Sequence, residues 1–208
     1  MSLMGVELER LKSILHHMAQ NIKNVVKLTK TLMEVEDVAK RKSIRSDIEN
    51  IVLILDKMRR DFVNEVMIFI ARRQPLGREL ISAHILISIA YDVYRISRYC
   101  REIARIDEML EPSASLNAIA NLSDIFKKAV EAVEAALDDL VRFSPEKFDF
   151  VNEIDAQVDD IYKNMLLEIT SCSSFIPRDM AIKALIMRHI ERIVDHAKYI
   201  EQYLTEIL

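Results

Sequence analysis

Tyr94-Arg-Ile-Ser-Arg-Tyr-Cys-Arg-Glu-Ile103 can be laid on Glu191-Arg-Ile-Val-Asp-His-Ala-Lys-Tyr-Ile200, pairing Arg95 with Arg192, Ile96 with Ile193 and Ile103 with Ile200. Each stretch follows a proline turn: Gln74-Pro75-Leu76-Gly77 in the first half, Phe175-Ile176-Pro177-Arg178 in the second. Each also closes a set of segments with helical spacing of apolar residues. Similar stretches at corresponding places read as one helical unit used twice.

Outward from these stretches, the rest of the chain punctuates in the same way. Of 208 residues only 2 are Gly and 4 are Pro, too few for the turns of sheets and hairpins, so the fold class expected is all-α. Pro75, Pro112, Pro145 and Pro177 mark breaks, because proline is tolerated in the first turn of a helix and disfavoured in its interior. The segment before Pro75 is too long for one globular helix, and its periodicity lapses in the polar run Glu34 to Ser46. Six helices follow, at roughly 5 to 36, 41 to 73, 77 to 110, 113 to 143, 146 to 172 and 178 to 207. Ser144-Pro145 is read as N-cap and first-turn proline of the fifth. Short connections force antiparallel neighbours. The architecture expected is two tandem antiparallel three-helix bundles, residues 1–110 and 111–208, meeting near 108 to 114.

The charge pattern excludes some partners. Net charge is −4 with signs mixed and no long basic stripe, so direct nucleic-acid binding is not expected. Cys100 and Cys172 stand alone, without the spacing of a zinc site or a disulfide scaffold, which suits a reducing cytoplasm. No signal peptide is read at the start, where Met1-Ser2-Leu3 before Met4 has the look of an expression scar. The longest apolar stretch, Ile81 to Tyr91, is too short to span a bilayer, so membrane insertion is not expected. A helix segment apolar almost all round is usually covered on several sides. That band is therefore the basis for expecting a homodimer, unless it is buried between the two bundles.

Ala71-Arg-Arg-Gln-Pro-Leu76, followed by Asp92-Val-Tyr-Arg-Ile-Ser-Arg98, resembles the PhoU family pattern of an Ala-Arg-Arg-Gln-Pro turn leading into Leu-Glu-Arg-Ile-Gly-Asp-His. Ile190-Glu-Arg-Ile-Val-Asp-His-Ala197 is closer still, departing from that heptad only at Ile190 and Val194. The resemblance implies a cytoplasmic regulator of phosphate uptake and signalling. Its partners would be the ATPase subunit of a phosphate ABC transporter or an associated signalling protein. It also implies that the bundles can hold metal on Glu/Asp-x-x-x-Asp pairs. Carried over by position, those pairs are Asp155 and Asp159 on the fifth helix and Glu191 and Asp195 on the sixth. In the first half the corresponding positions hold Tyr94 and Arg98, with Arg59 and Val63 on the second helix, so the first site is read as lost.

Carboxylates four apart share a helix face, and two such pairs would present four oxygen-donor groups suited to Mg, Mn, Ca or Fe(III). The same spacing also occurs at Asp61/Glu65, Asp107/Glu111, Glu134/Asp138 and Asp149/Glu153, where a solvated face is the ordinary reading. On the fifth helix Asp155 falls inside the apolar arc of Val151, Ile154, Val158 and Ile161, and Asp159 at its edge. On the sixth, the apolar stripe Ile182, Leu185, Ile186, Ile193, Ile200 and Leu204 leaves Glu191 and Asp195 pointing outward, so a metal would sit on the bundle surface. His196 and His189 fall on the core side, where a histidine with a satisfied hydrogen bond is the common case. Asp92 borders an apolar arc and needs a partner, either Arg95 or a group on a neighbouring helix.

No enzyme is read from the chain. No Glu is followed three residues later by His, as di-iron bundles require, and Gly5 and Gly77 make no phosphate-cradling loop. The two remaining functions are a regulatory adaptor with a metal site and a structural interaction protein whose acidic pairs are merely solvated.

Overall fold

Helix is the only regular structure among the described residues. The computed structural model describes residues 3–110 and 122–207, with side chains from Arg10 onward. In chain order the helices are α1 (Leu3–Glu34), α2 (Val38–Arg73), α3 (Arg78–Met109), α4 (Ser123–Arg142), α5 (Phe148–Thr170) and α6 (Arg178–Ile207). The start expected for the fourth helix, near residue 113, lies outside the described residues, as does most of the junction at 108 to 114.

Local chemistry explains the turns. The break between α1 and α2 falls at residues 35 to 37, because Asp37 accepts a 2.7 Å hydrogen bond from the Lys40 amide and caps α2 ahead of the expected start. Gln74 ends α2 in the left-handed region (φ 49°), Pro75 prevents continuation, and Gly77 (φ 58°) takes a conformation that a side chain would resist. Pro177 receives the Ala181 amide on its carbonyl and opens α6.

The expected start of the fifth helix needs correction. Ser144 and Pro145 lie in the turn, and α5 begins at Phe148 with Lys147 as its cap residue. Asp139, wholly buried on α4, accepts the Lys147 amide at 2.6 Å and so supplies the cap that Ser144 was expected to give.

α1, α2 and α3 pack on one another, as do α4, α5 and α6. The most extensive helix pair in the molecule joins the two groups: α3 against α6, supported by α1 against α4. Buried side chains form one continuous core across this junction. It includes Ile85, Leu86, Ile89 and Ala90, so most of the apolar band of α3 is spent inside the chain, and the stated ground for a homodimer goes with it. Taken whole, α3 is long and apolar enough to cross a membrane, more so than its residues 81 to 91 alone. Half of that window is buried in the protein. The buried polar groups of α3 are matched to protein partners: Asp92 to His196, and Asp107 to Arg41 and Arg45. It is a core helix.

The Asp107 site ties α3 to the start of α2. Its fully buried carboxylate meets Arg41 through one oxygen and Arg45 through the other at 2.7 Å, while Arg41 also donates to the Val35 carbonyl at 2.5 Å. Charge-assisted bonds that satisfy both sides are what permit ionised groups to be buried.

Candidate functional site

Asp155 and Asp159 stand one turn apart on α5, and the α5/α6 packing brings Asp195 across to them. One carboxylate oxygen from each lies within 4.8 Å of the other two. Asp155 is buried and Asp159 half-buried, in keeping with their places inside and at the edge of the apolar arc. Asp195 is half-buried too, and Glu191 is only 9% exposed. The surface position expected for these two is therefore wrong. A helical wheel allows one covered stripe, whereas α6 is packed against α3, α4 and α5 and has little outer face left. Leu185, expected in that stripe, is instead 57% exposed.

Each acid has a basic neighbour. Lys198 donates to Asp155 at 2.6 Å, Arg192 to Asp195 at 2.5 Å and Arg188 to both oxygens of Glu191 at 2.9 and 2.8 Å. Asp159 has the weaker Lys163 contact at 3.9 Å. Glu191 is thus turned to its own arginine and lies outside the three-carboxylate group.

Electrostatics separate this cluster from an ordinary ion-pair network. Burial first, then the neighbouring Asp155 and Asp159 charges, push the Asp195 carboxyl above its usual range against the pull of Arg192. Burial and the Asp195 charge do the same to Glu191, against Arg188 and Arg192. The hydrogen bond to Asp155 raises the Lys198 ammonium. The acids are crowded enough to repel one another despite their counter-charges. A set of oxygen donors in that state suits a hard cation, and Lys198 and Arg192 are the groups that would yield to it. The corresponding positions in the first group of helices hold no such set. Arg59 pairs with Asp56 at 3.1 Å and lies over the Tyr94 ring at 5.1 Å, while Glu65 is engaged by Arg10 at 2.7 Å.

Residues 15–106 match the model of the PhoU domain. Over 98% of this chain and 97% of the other, the fold superposes on the crystal structure of PhoU from Pseudomonas aeruginosa with a TM-score of 0.81 at 22% identity. The described chain has the PhoU fold. The PhoU fold recurs in the phosphate transport system regulatory protein PhoU from Streptococcus pneumoniae, with a TM-score of 0.77 at 16% identity over 98% of this chain and 95% of that one. Among sequence relatives, a phosphate-specific transport system accessory protein PhoU homolog of Pseudomonas putida is 27% identical over 95% of this chain and 77% of its own length. The Rhizobium meliloti homolog is 28% identical over 72% of this chain and 65% of its own. The proteins it is similar to are described as regulatory or accessory. The domain match falls on the first helix group, although the second keeps the Glu-Arg-Ile-Val-Asp-His stretch more completely.

Two features escaped the sequence reading. The basic partners of the acids were legible as Arg188/Glu191 and Arg192/Asp195, three apart on one helix, a spacing that brings side chains together. The His196–Asp92 pair at 2.7 Å joins α6 to α3 across 104 residues, and no local pattern announces it.

Proposed function

We propose that this chain belongs to the PhoU family and is a cytoplasmic accessory regulator of phosphate uptake. It docks on the ATPase subunit of a phosphate transporter or on an associated signalling protein, and its second repeat carries a metal. The observation that carries the reading is the near-complete agreement of fold with two PhoU structures, one of them described as a phosphate transport system regulatory protein. Each repeat, 1–110 and 111–208, supplies one three-helix bundle, and the chain works as a homodimer or as a monomer bound to its partner. Exposed apolar side chains at the two proline turns, Leu76 (82%) and Phe175 (79%), which the antiparallel run of α3 and α6 puts at opposite ends, offer docking contacts.

Asp155, Asp159 and Asp195 hold the metal, with Glu191 the fourth ligand once Arg188 releases it. Bound there, a hard cation would supply positive charge that ties α5 to α6, and Mg, Mn, Ca and Fe(III) all suit the oxygen donors. A second reading, a helical interaction protein without metal, is favoured by the basic neighbour that each acid already has.

Calorimetric titration of the chelator-treated protein with Mn²⁺ separates the two. Saturable binding that disappears in the Asp155→Asn/Asp195→Asn variant supports the metal site, and its absence from the unaltered protein favours the second reading. Co-purification from native cytoplasm tests the partner: recovery of a phosphate-transporter ATPase or its sensor supports the regulatory role, and its absence under conditions that preserve such complexes counts against it.

A further inference from the structure

The repeat unit meets its own copy where α3 crosses α6, and a strip of polar and aromatic side chains runs beside the apolar core there. In the register that pairs Arg95 with Arg192, Tyr99 corresponds to His196 and Asp92 to His189. The His196–Asp92 hydrogen bond and the Tyr99–His189 ring contact at 5.8 Å are therefore the same contact made twice, once from each repeat. Beside them lies an open cleft of about 460 Å³, walled by both helices and lined by Arg95, Arg192, His196, Tyr91, Tyr199 and Asp92 among others.

The cations in this cleft are unevenly matched. Asp195 pairs with Arg192, which also reaches the Tyr99 hydroxyl. Arg95 has no carboxylate partner among the described residues. Its one hydrogen bond goes to the Tyr99 hydroxyl, and its guanidinium is held over two rings, 4.9 Å from the Tyr99 centroid and 5.8 Å from that of Tyr91. Arg95 Nε has no acceptor. Stacking of this kind fixes a planar guanidinium without neutralising it, and fixed forks are what bind multi-oxygen anions. The one carboxylate on the wall, Asp92, is already committed to His196.

We propose that the α3/α6 cleft is an oxyanion site that takes a phosphate group, with Arg95 as its main cationic ligand and Arg192 as a further donor. Several donors arriving from two helices suit a tetrahedral anion with acceptors on every side better than a carboxylate with two oxygens. The phosphate group comes either as the free inorganic ion or as a small phosphomonoester, whose organic part would rest on the tyrosines. This site adjoins the metal-ligand set through the Arg192–Asp195 pair and does not require that set to be filled.

Calorimetry of the full chain in EDTA, which removes any phosphate held through a metal, tests the proposal with inorganic phosphate in one arm and adenosine monophosphate in the other. Binding in either arm is expected, and the tighter arm names the source. Arg95→Gln should weaken it at least about tenfold, the loss expected for one charge-assisted contact, with the circular dichroism spectrum unchanged. Ser88→Glu, which adds an anion to the same wall at a half-buried position, should do the same and serves where Arg95→Gln fails to fold. No binding at millimolar concentration in either arm, or undiminished binding by both variants, overturns the proposal.

Discussion

The two helix groups handle buried carboxylates in opposite ways. In the first, Asp107 is fully buried and saturated by two arginines, and the positions matching the second group's acids hold Arg59 stacked on Tyr94. In the second, Asp155, Asp159 and Asp195 crowd together with Glu191 nearby, and deeper in the bundle Glu201 and Asp139 are both wholly buried beside each other. Fixed internal cations make the first group a closed electrostatic structure. The second keeps an excess of acid whose repulsion an external cation or a proton could relieve. The two helix groups thus differ in charge while both pack as helices, because apolar periodicity sets the packing and a handful of polar positions sets the charge.

The largest effect should come from opening the closed side. Asp107→Asn leaves two arginines facing a neutral amide, Arg41 among them almost wholly buried, and removing one partner of a buried pair costs about 3–5 kcal/mol. Asp195→Asn, measured without metal, should cost under about 1 kcal/mol, because it removes one of several mutually repelling acids. Chemical denaturation of both variants checks the contrast. Equal losses would mean that the two groups do not differ in the way described.

How much of this was legible depends on the range of the interaction concerned. The helix starting at Arg178 was readable because Pro177 and apolar spacing act within a few residues, and the same holds for the α2/α3 turn at Pro75. The α5 cap was not. Asp139 reaches the Lys147 amide from the preceding helix, and a serine before a proline imitates a cap in sequence. Asp155 could be recognised as a buried acid needing a partner, and Lys198 is that partner. Glu191 and Asp195 were misplaced because one wheel cannot show three packing neighbours. The partner of Asp92 was legible only as a need, since His196 comes from the other repeat.

The second expectation sharpens the comparison through metal. A ligand that binds only the folded state stabilises it by about 2.7 kcal/mol at a hundred times its dissociation constant. Mn²⁺ should therefore raise the thermal midpoint of the unaltered protein and leave Asp155→Asn/Asp195→Asn unmoved. Glu191→Gln alone should keep part of the shift, because Glu191 lies outside the three-carboxylate group. A full shift in the double variant would place the metal elsewhere.

The third concerns protons. Burial, then the charge of Asp139 and a hydrogen bond with it, push the Glu201 carboxyl up to about 8 from its ordinary 4.5. The folded chain therefore keeps this proton at pH values where the unfolded chain has lost it. The stabilisation is complete below pH 4.5 and is lost as pH rises from there through about 8, at about 1.4 kcal/mol per pH unit in the steepest range. Glu201→Gln should flatten the fall in stability between pH 6 and pH 8, read from urea denaturation midpoints. An unchanged slope would show that Glu201 is ionised in the fold.

The smallest effect uses the two thiols as reporters on the same comparison. Cys100, on α3 in the first group, is buried, and burial pushes its thiol up to about 12, so hardly any thiolate exists near neutral pH. Cys172 is half-exposed in the turn after α5, where its thiol donates to the Glu168 carbonyl at 3.6 Å. A thiol reagent at pH 8 should modify Cys172 promptly and Cys100 only as the chain opens. Because Cys100 shares α3 and the first group's core with Asp107, Asp107→Asn should speed its modification, whereas Asp155→Asn/Asp195→Asn, which touches only α5 and α6, should hardly change it in the absence of metal. A population of openings set by local stability makes that difference measurable even when neither variant alters the spectrum of the native state. Prompt labelling of both thiols in the unaltered protein would contradict the buried position of Cys100, and equal acceleration by both sets of substitutions would show that the two groups open as one unit.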